Sequence, residues 1–179
     1  MKRKYLIQGD LDGACFLYSI ANSVVALSGR KPTVNQWSKA LQYIPFSADF
    51  IDGNVGTVNY DDNISLYEFA IKQAISEYSP SSDYEIKTYP EITSVIDVDN
   101  LVSDNSVVVL NISGDHWVCV VSVDLENNRL LTACSDITDV IYDYVEKPCD
   151  FNRLYNREYN LNEEDRIHEP SVIQIILKE

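Results

Sequence analysis

The strongest constraint on the fold of this chain is a change in the spacing of its apolar residues halfway along. Between residues 14 and 78, apolar side chains recur every three or four positions, which is typical of helices that bury one face. From residue 84 onward, short apolar runs are separated by turn-forming residues, which is typical of strands joined by hairpins. Helices followed by an antiparallel sheet predict an α+β fold.

The first half of the chain predicts three main helices. A core helix is expected to open near Ala14 and to end at Gly29. Thr33 is a suitable cap for a second, shorter helix. Ser65 and Glu68 have the spacing of a capping box and predict the start of a third.

The second half predicts a series of short strands, with one more before the first helix. The predicted strands cover residues 5–8, 84–89, 107–112, 116–123, 129–133, 140–145 and 172–177. The polar segment 149–168 is expected to be a surface excursion. The 179 residues suffice for one domain with a hydrophobic core, and we expect a single domain over residues 1–179.

The composition is strongly acidic, with 14 basic and 28 acidic residues and a formal net charge of −14. Such a surface repels phosphate backbones and anionic lipids, so neither nucleic acid nor a membrane is an expected partner. The apolar runs are too short for a spanning helix or a secretory signal, which predicts a soluble, cytoplasmic protein. The four cysteines show no tight pairing and fit free thiols in a reducing compartment.

Cys15 is the residue whose position most favours chemistry. It lies in the first turn of the core helix, where the helix dipole and free N–H groups are expected to lower the pKa of a thiol. A nucleophilic thiolate needs an imidazole partner. Of the two histidines, His116 opens a strand and is the stronger candidate, whereas His168 follows an acidic stretch in a loop.

Two further residues complete a possible catalytic set. Asp136 ends the strand after the hairpin, and antiparallel pairing is expected to return it to His116, whose tautomer it could fix. Gln8 precedes the helix and, with the backbone N–H of Cys15, could form a two-donor oxyanion hole.

Each of these residues also has an ordinary structural interpretation. A buried cysteine at a helix start is most often a packing residue, and Asp136 could simply stabilise a turn. Cys119 and Cys134 are expected to fill the core. No C-x-x-C or H-E-x-x-H spacing occurs, so neither a metal nor a cofactor is expected. The functional interpretation rests on the order and placement of all four residues together.

In that order, Gln8, Cys15, His116 and Asp136, with the His-Trp-Val run at 116–118, resemble a papain-like cysteine peptidase. The likeness is greatest to the bacteriocin-processing (double-glycine) peptidases and their compact bacterial or phage relatives. It implies that the nucleophile heads the central helix, packed on a C-terminal antiparallel sheet. Phe16 departs from the glycine usual in the bacterial group, which leaves the subfamily and its substrate open.

The resemblance implies a thiol hydrolase that cleaves a peptide or isopeptide amide of a protein substrate through a Cys15 thioester. Acyl transfer and glutamine deamidation use the same groups and stay open, including in an effector delivered to a host cell. A catalytically silent papain-like binding module is the alternative from another class. The long polar loop at residues 45–63 is the candidate wall of the substrate cleft.

Overall fold

The computed structural model describes residues 4–7, 14–50, 52, 55–60, 63–114, 116–136, 145–162, 165–168 and 172–178. Within these residues the chain combines helices with a large antiparallel sheet, so the predicted α+β class is confirmed. The helices are α1 (Cys15–Ser28), α2 (Val34–Tyr43), α3 (Ile64–Tyr78) and α4 (Val95–Asp99). The strands are β1 (Tyr84–Tyr89), β2 (Ser106–Ile112), β3 (His116–Asp124), β4 (Arg129–Ala133), β5 (Lys147–Cys149), β6 (Arg153–Tyr155), β7 (Arg157–Asn160) and β8 (Val172–Leu177).

Six strands form the main sheet, in the order β1-β8-β2-β3-β4-β7. Each neighbouring pair in it is antiparallel, and β5 and β6 pair separately as a short ribbon. Five predicted strands are confirmed within one residue at each end, namely β1, β2, β3, β4 and β8. The β2–β3 hairpin is central in the sheet and carries its most continuously buried sequence.

The helix boundaries follow local capping. Helix α1 begins at Cys15 and ends at Gly29, which adopts the left-handed conformation (φ 71°) that glycine tolerates. Thr33 caps α2 through a capping box with Gln36. The capping box predicted for α3 is wrong, because that helix already begins at Ile64 and the expected cap, Ser65, lies inside its first turn.

The sheet separates two apolar clusters. Helices α1, α2 and α3 pack on one face, against β3 residues Trp117, Cys119 and Val121. Helix α4 covers the opposite face, where Val118 and Val120 lie. This alternation follows from the twofold period of a strand, and it determines on which face of the sheet a side chain of β3 lies.

Two predicted strands need correction or fall outside the described residues. Residues 5–7 do not form a strand, since the N–H groups of Lys4 and Tyr5 bind the Glu146 carboxylate at 2.8–2.9 Å instead of a neighbouring strand. Most of the strand predicted at 140–145 lies outside the described residues, and Val145 is not in a strand. No helix among the described residues is long and apolar enough to cross a membrane.

The segment 149–168 is not a surface excursion. It supplies β6 and the edge strand β7, and its Arg153 is only 2 % exposed. The guanidinium of Arg153 donates hydrogen bonds to the carbonyl oxygens of Ser106, Val121 and Asp104 at 2.9–3.1 Å. A charged side chain can be buried when main-chain oxygens satisfy its donors, and polarity alone therefore misled the sequence prediction.

Candidate active site

Cys15 begins α1 and is partly buried, with its sulfur close to the sheet. Desolvation raises the pKa of its thiol above the ordinary value, and the backbone N–H groups of Trp117, Phe16 and Cys15 itself act in the opposite direction. The net direction contradicts the lowered pKa expected from the helix start. Burial outweighs the N–H groups, so a neutral thiol is the resting form.

His116 is the first residue of β3, and it pairs across the ladder with Ile112. Strand alternation places its side chain on the α4 face with Val118, whereas Cys15 approaches from the α1 face. The Cys15 sulfur lies beside the start of β3, because one N–H that acts on it belongs to Trp117, the residue after His116. Within the described residues, Cys15 and His116 share no hydrogen bond.

The His116 ring instead contacts a second cysteine. Its Nε2 lies 3.2 Å from the sulfur of Cys134, a residue with no exposed surface. The main chain of Cys134 is held on both sides by Asn156, whose Oδ1 accepts from its N–H at 2.7 Å and whose Nδ2 donates to its carbonyl at 2.8 Å. Cys134 is therefore buried as predicted, but it is also a partner of the imidazole.

Asp136 lies near His116 without taking the place expected for it. Strand β4 ends at Ala133 as predicted, so Asp136 lies three residues beyond the strand and does not end it, and its Oδ2 accepts from Arg157 at 2.9 Å. Burial lowers the pKa of His116 to about 4, the charge of Asp136 raises it and that of Arg157 lowers it. The imidazole is therefore neutral at pH 7, and Asp136 acts on it through its charge.

Cys15, His116 and Asp136 thus lie at one end of the sheet. Gln8, the expected oxyanion donor, lies outside the described residues. His168 lies on the other side of β2, where its N–H donates to the Asn111 carbonyl at 2.9 Å.

Sequence reasoning missed Cys134, which follows β4, as a partner of His116, and it missed the neighbouring residues of β7. Cys134 precedes Asp136 by two positions, and continuing the β3–β4 register past Cys119 and Ala133 puts both residues on the face of His116. This spacing of two positions could have identified Cys134 as a neighbour of His116 from the sequence. Nothing comparable marked β7, whose Arg157 and Tyr159 lie in a segment too polar to predict a strand of the main sheet.

The candidate cleft wall is packed against the neighbours of both Cys15 and His116. Phe50 and Tyr60, from the loop at 45–63, are fully buried, with ring centroids 5.8 and 6.4 Å from that of Phe16. The hydroxyl of Thr57 accepts from Trp117 Nε1 at 3.1 Å. In its described residues this loop is anchored beside the site, which is compatible with a wall.

A cavity of about 190 Å³ opens one helical turn along α1 from Cys15. Tyr18 and Trp37 line it together with Leu6, Pro32, Thr33 and Val34. The lining is mainly apolar, and its size suits one aliphatic or aromatic side chain of a ligand.

No cluster of three or more potential metal-ligating His, Cys, Asp or Glu side chains occurs among the described residues. All four cysteines are free thiols. Compared with models of known protein families and with curated protein sequences, the chain gives no match.

Proposed function

We propose that this protein is a papain-like thiol hydrolase, which cleaves a peptide or isopeptide amide through a thioester on Cys15. The observation that carries the proposal is the meeting of α1 and β3 at one end of the sheet. There the Cys15 sulfur lies against the N–H of Trp117, directly after His116. A nucleophile at a helix start beside an imidazole at a strand start is the pairing that thiol catalysis needs.

The reaction starts from a neutral pair. Because the pKa of His116 is about 4 and that of Cys15 is raised, thiol and imidazole are both uncharged at pH 7. His116 takes the Cys15 proton as the sulfur attacks the substrate carbonyl, and it then donates that proton to the leaving amine. Water hydrolyses the resulting thioester, which releases the acid and restores the thiol.

The other residues have supporting roles. The charge of Asp136 stabilises the imidazolium that forms during attack, since it already raises the pKa of His116. Gln8 and the Cys15 N–H are the proposed donors to the oxyanion. The apolar cavity beside Tyr18 is the proposed pocket for a substrate side chain, which favours a peptide with an aliphatic or aromatic residue near the cleaved bond.

A catalytically silent papain-like binding module is the second candidate. Two observations favour it: burial raises the pKa of Cys15, and the Nε2 of His116 is directed at Cys134. If this alternative holds, Cys15 is a packing residue and its reactivity is that of any thiol of the same accessibility.

Acylation by p-nitrophenyl acetate separates the two candidates without a known substrate. The hydrolase predicts that Cys15 gains an acetyl group, with release of nitrophenol, and that His116→Gln slows this by about a hundredfold or more. Cys149, also partly buried, is the matched thiol for comparison, and acetylated peptides are quantified by mass spectrometry. Equal acetylation of Cys15 and Cys149, unaffected by His116→Gln, contradicts the hydrolase.

Peptide cleavage is the direct test. A library of peptidyl aminomethylcoumarins is incubated with the wild type, Cys15→Ala and Cys149→Ala. We expect Cys15→Ala to lose at least about a thousandfold in turnover, as expected when the nucleophile is removed, with an unchanged circular dichroism spectrum. Turnover retained by Cys15→Ala would place the chemistry elsewhere.

A further inference from the structure

The contacts of the Cys134 sulfur determine where the proton on His116 lies. This sulfur is 3.2 Å from the His116 Nε2, 3.6 Å from the Tyr159 hydroxyl and 3.7 Å from the main-chain oxygen of Asp136. Asn156 fixes the Cys134 backbone, so the sulfur cannot easily move relative to these groups. Three polar atoms thus surround one buried thiol.

A thiol has one hydrogen to donate, and its sulfur is a weak acceptor. The Asp136 carbonyl can only accept, so the thiol hydrogen is directed at that oxygen. In the reverse arrangement the Cys134 thiol hydrogen would be directed at an unprotonated Nε2 of His116, and lone pairs of the sulfur and of the Asp136 carbonyl oxygen would then face each other. The Tyr159 hydroxyl and Nε2 therefore both donate to the sulfur.

A neutral imidazole carries one N–H and one lone pair. A proton on Nε2 leaves the lone pair on Nδ1. We propose that Cys134 is a positioning residue that holds His116 as the Nε2–H tautomer and so keeps Nδ1 as the proton acceptor. The catalytic value of this tautomer rests on the function proposed above, whereas the tautomer itself does not.

This assignment gives Cys134 the task that the sequence predicted for Asp136. The carboxylate of Asp136 is paired with Arg157, and its main-chain oxygen contacts the thiol. A thiol is a weaker partner than a carboxylate, so it fixes the tautomer without stabilising the charged imidazolium at rest. This agrees with a resting state in which the Cys15 thiol and the His116 imidazole are both uncharged.

The tautomer can be measured in the intact wild-type chain by nitrogen-15 NMR of the imidazole side chains at pH 7. With only two histidines, His116→Gln assigns the signals. We expect the wild type and Cys134→Ser to carry the proton on Nε2, and Cys134→Val to lose that preference. A proton on Nδ1 in the wild type overturns the proposal without any variant, and an unchanged tautomer in Cys134→Val overturns it too.

The matched control is Cys119→Val, which removes another fully buried thiol, on the opposite face, hydrogen-bonded to Ser23 at 3.3 Å. It should leave the His116 tautomer unchanged, and a shift equal to that of Cys134→Val would contradict a specific role.

Iodoacetamide alkylation of Cys15 at pH 7 adds a functional measurement. We expect Cys134→Val to slow it by about tenfold or more and Cys119→Val to leave it unaltered. A shifted tautomer with unchanged alkylation supports the role of Cys134 and contradicts His116 as the base for Cys15.

Discussion

Two thiols approach the same end of the sheet from different sides, and their surroundings differ in kind. Cys15 starts a helix, is partly accessible and has main-chain N–H groups as neighbours. Cys134 follows a strand, has no exposed surface and is enclosed by side chains that include His116 and Tyr159. The Cys134 sulfur lies 3.2 Å from the imidazole but is too buried to meet a substrate. Accessibility therefore favours Cys15 as the proposed nucleophile and Cys134 in the proposed supporting role.

The largest expected difference is in native-state alkylation. We expect iodoacetamide to modify Cys15 at least about a hundredfold faster than Cys134, because a fully buried thiol reacts only through opening of the structure. Peptide mass spectrometry at short times measures both rates in one sample. Cys119, equally buried, should match Cys134, and faster labelling of Cys134 than of Cys119 would show that its side of the site opens.

The second prediction concerns the stability of the fold at acid pH. It tests the environment of His116, the imidazole on which both thiols depend in the proposals above. The pKa of His116 is about 4 in the folded protein and near 6.5 when unfolded. Between these values the unfolded state binds the additional proton, so stability falls as the pH drops from 6.5 to 4, by about 3 kcal/mol. In urea unfolding across this pH range, His116→Gln should lose less unfolding free energy than the wild type. Identical pH dependence in both proteins would mean that His116 is not held neutral.

The charges beside His116 should tune its titration in opposite directions. We expect Asp136→Asn to lower the pKa of His116 and Arg157→Gln to raise it, because these residues act on it with opposite sign. Each shift should be within about one unit, as is usual for partly exposed charges. NMR titration of the His116 ring measures them. Shifts of the same sign would exclude a direct electrostatic role.

The smallest expected effect is on the stability of the candidate cleft wall, the loop at residues 45–63 that packs beside Cys15. Thr57→Val removes the acceptor of Trp117 Nε1 and should cost about 1 kcal/mol of unfolding free energy. Hydrogen exchange should increase in residues 55–60 and leave β7 unchanged. Equal changes in both segments would mean that the bond stabilises the whole fold and not the wall.

Much of the fold could be predicted from local patterns. The start of α1 at Cys15 and its end at Gly29, and the long central hairpin of β2 and β3, follow from apolar period and turn residues. The N-cap position of α3 is Asn63, without a side-chain cap hydrogen bond, and not Ser65, because moving a helix start by two residues leaves the apolar period unchanged.

For the candidate site, the sequence predicted individual residues but not the contacts between them. Helix and strand starts marked Cys15 and His116, but the pKa of Cys15 depends on burial by distant elements, and its direction is opposite to the local expectation. The partner of His116 depends on how β4 continues beyond Ala133 and on the pairing of β7, which places Tyr159 beside Cys134. Long-range pairing of a polar strand leaves little trace in its own sequence.

The buried guanidinium of Arg153 has a consequence for protein engineering. It joins the β5–β6 ribbon to β2 and β3 through the carbonyl oxygens of Ser106 and Val121. A shortened version that deletes the ribbon would leave those oxygens without their donor in an apolar setting. Trimming, grafting or permuting the chain at this point therefore requires a substitute donor, whereas the exposed β3–β4 turn around Glu126 is the gentler place to insert a tag.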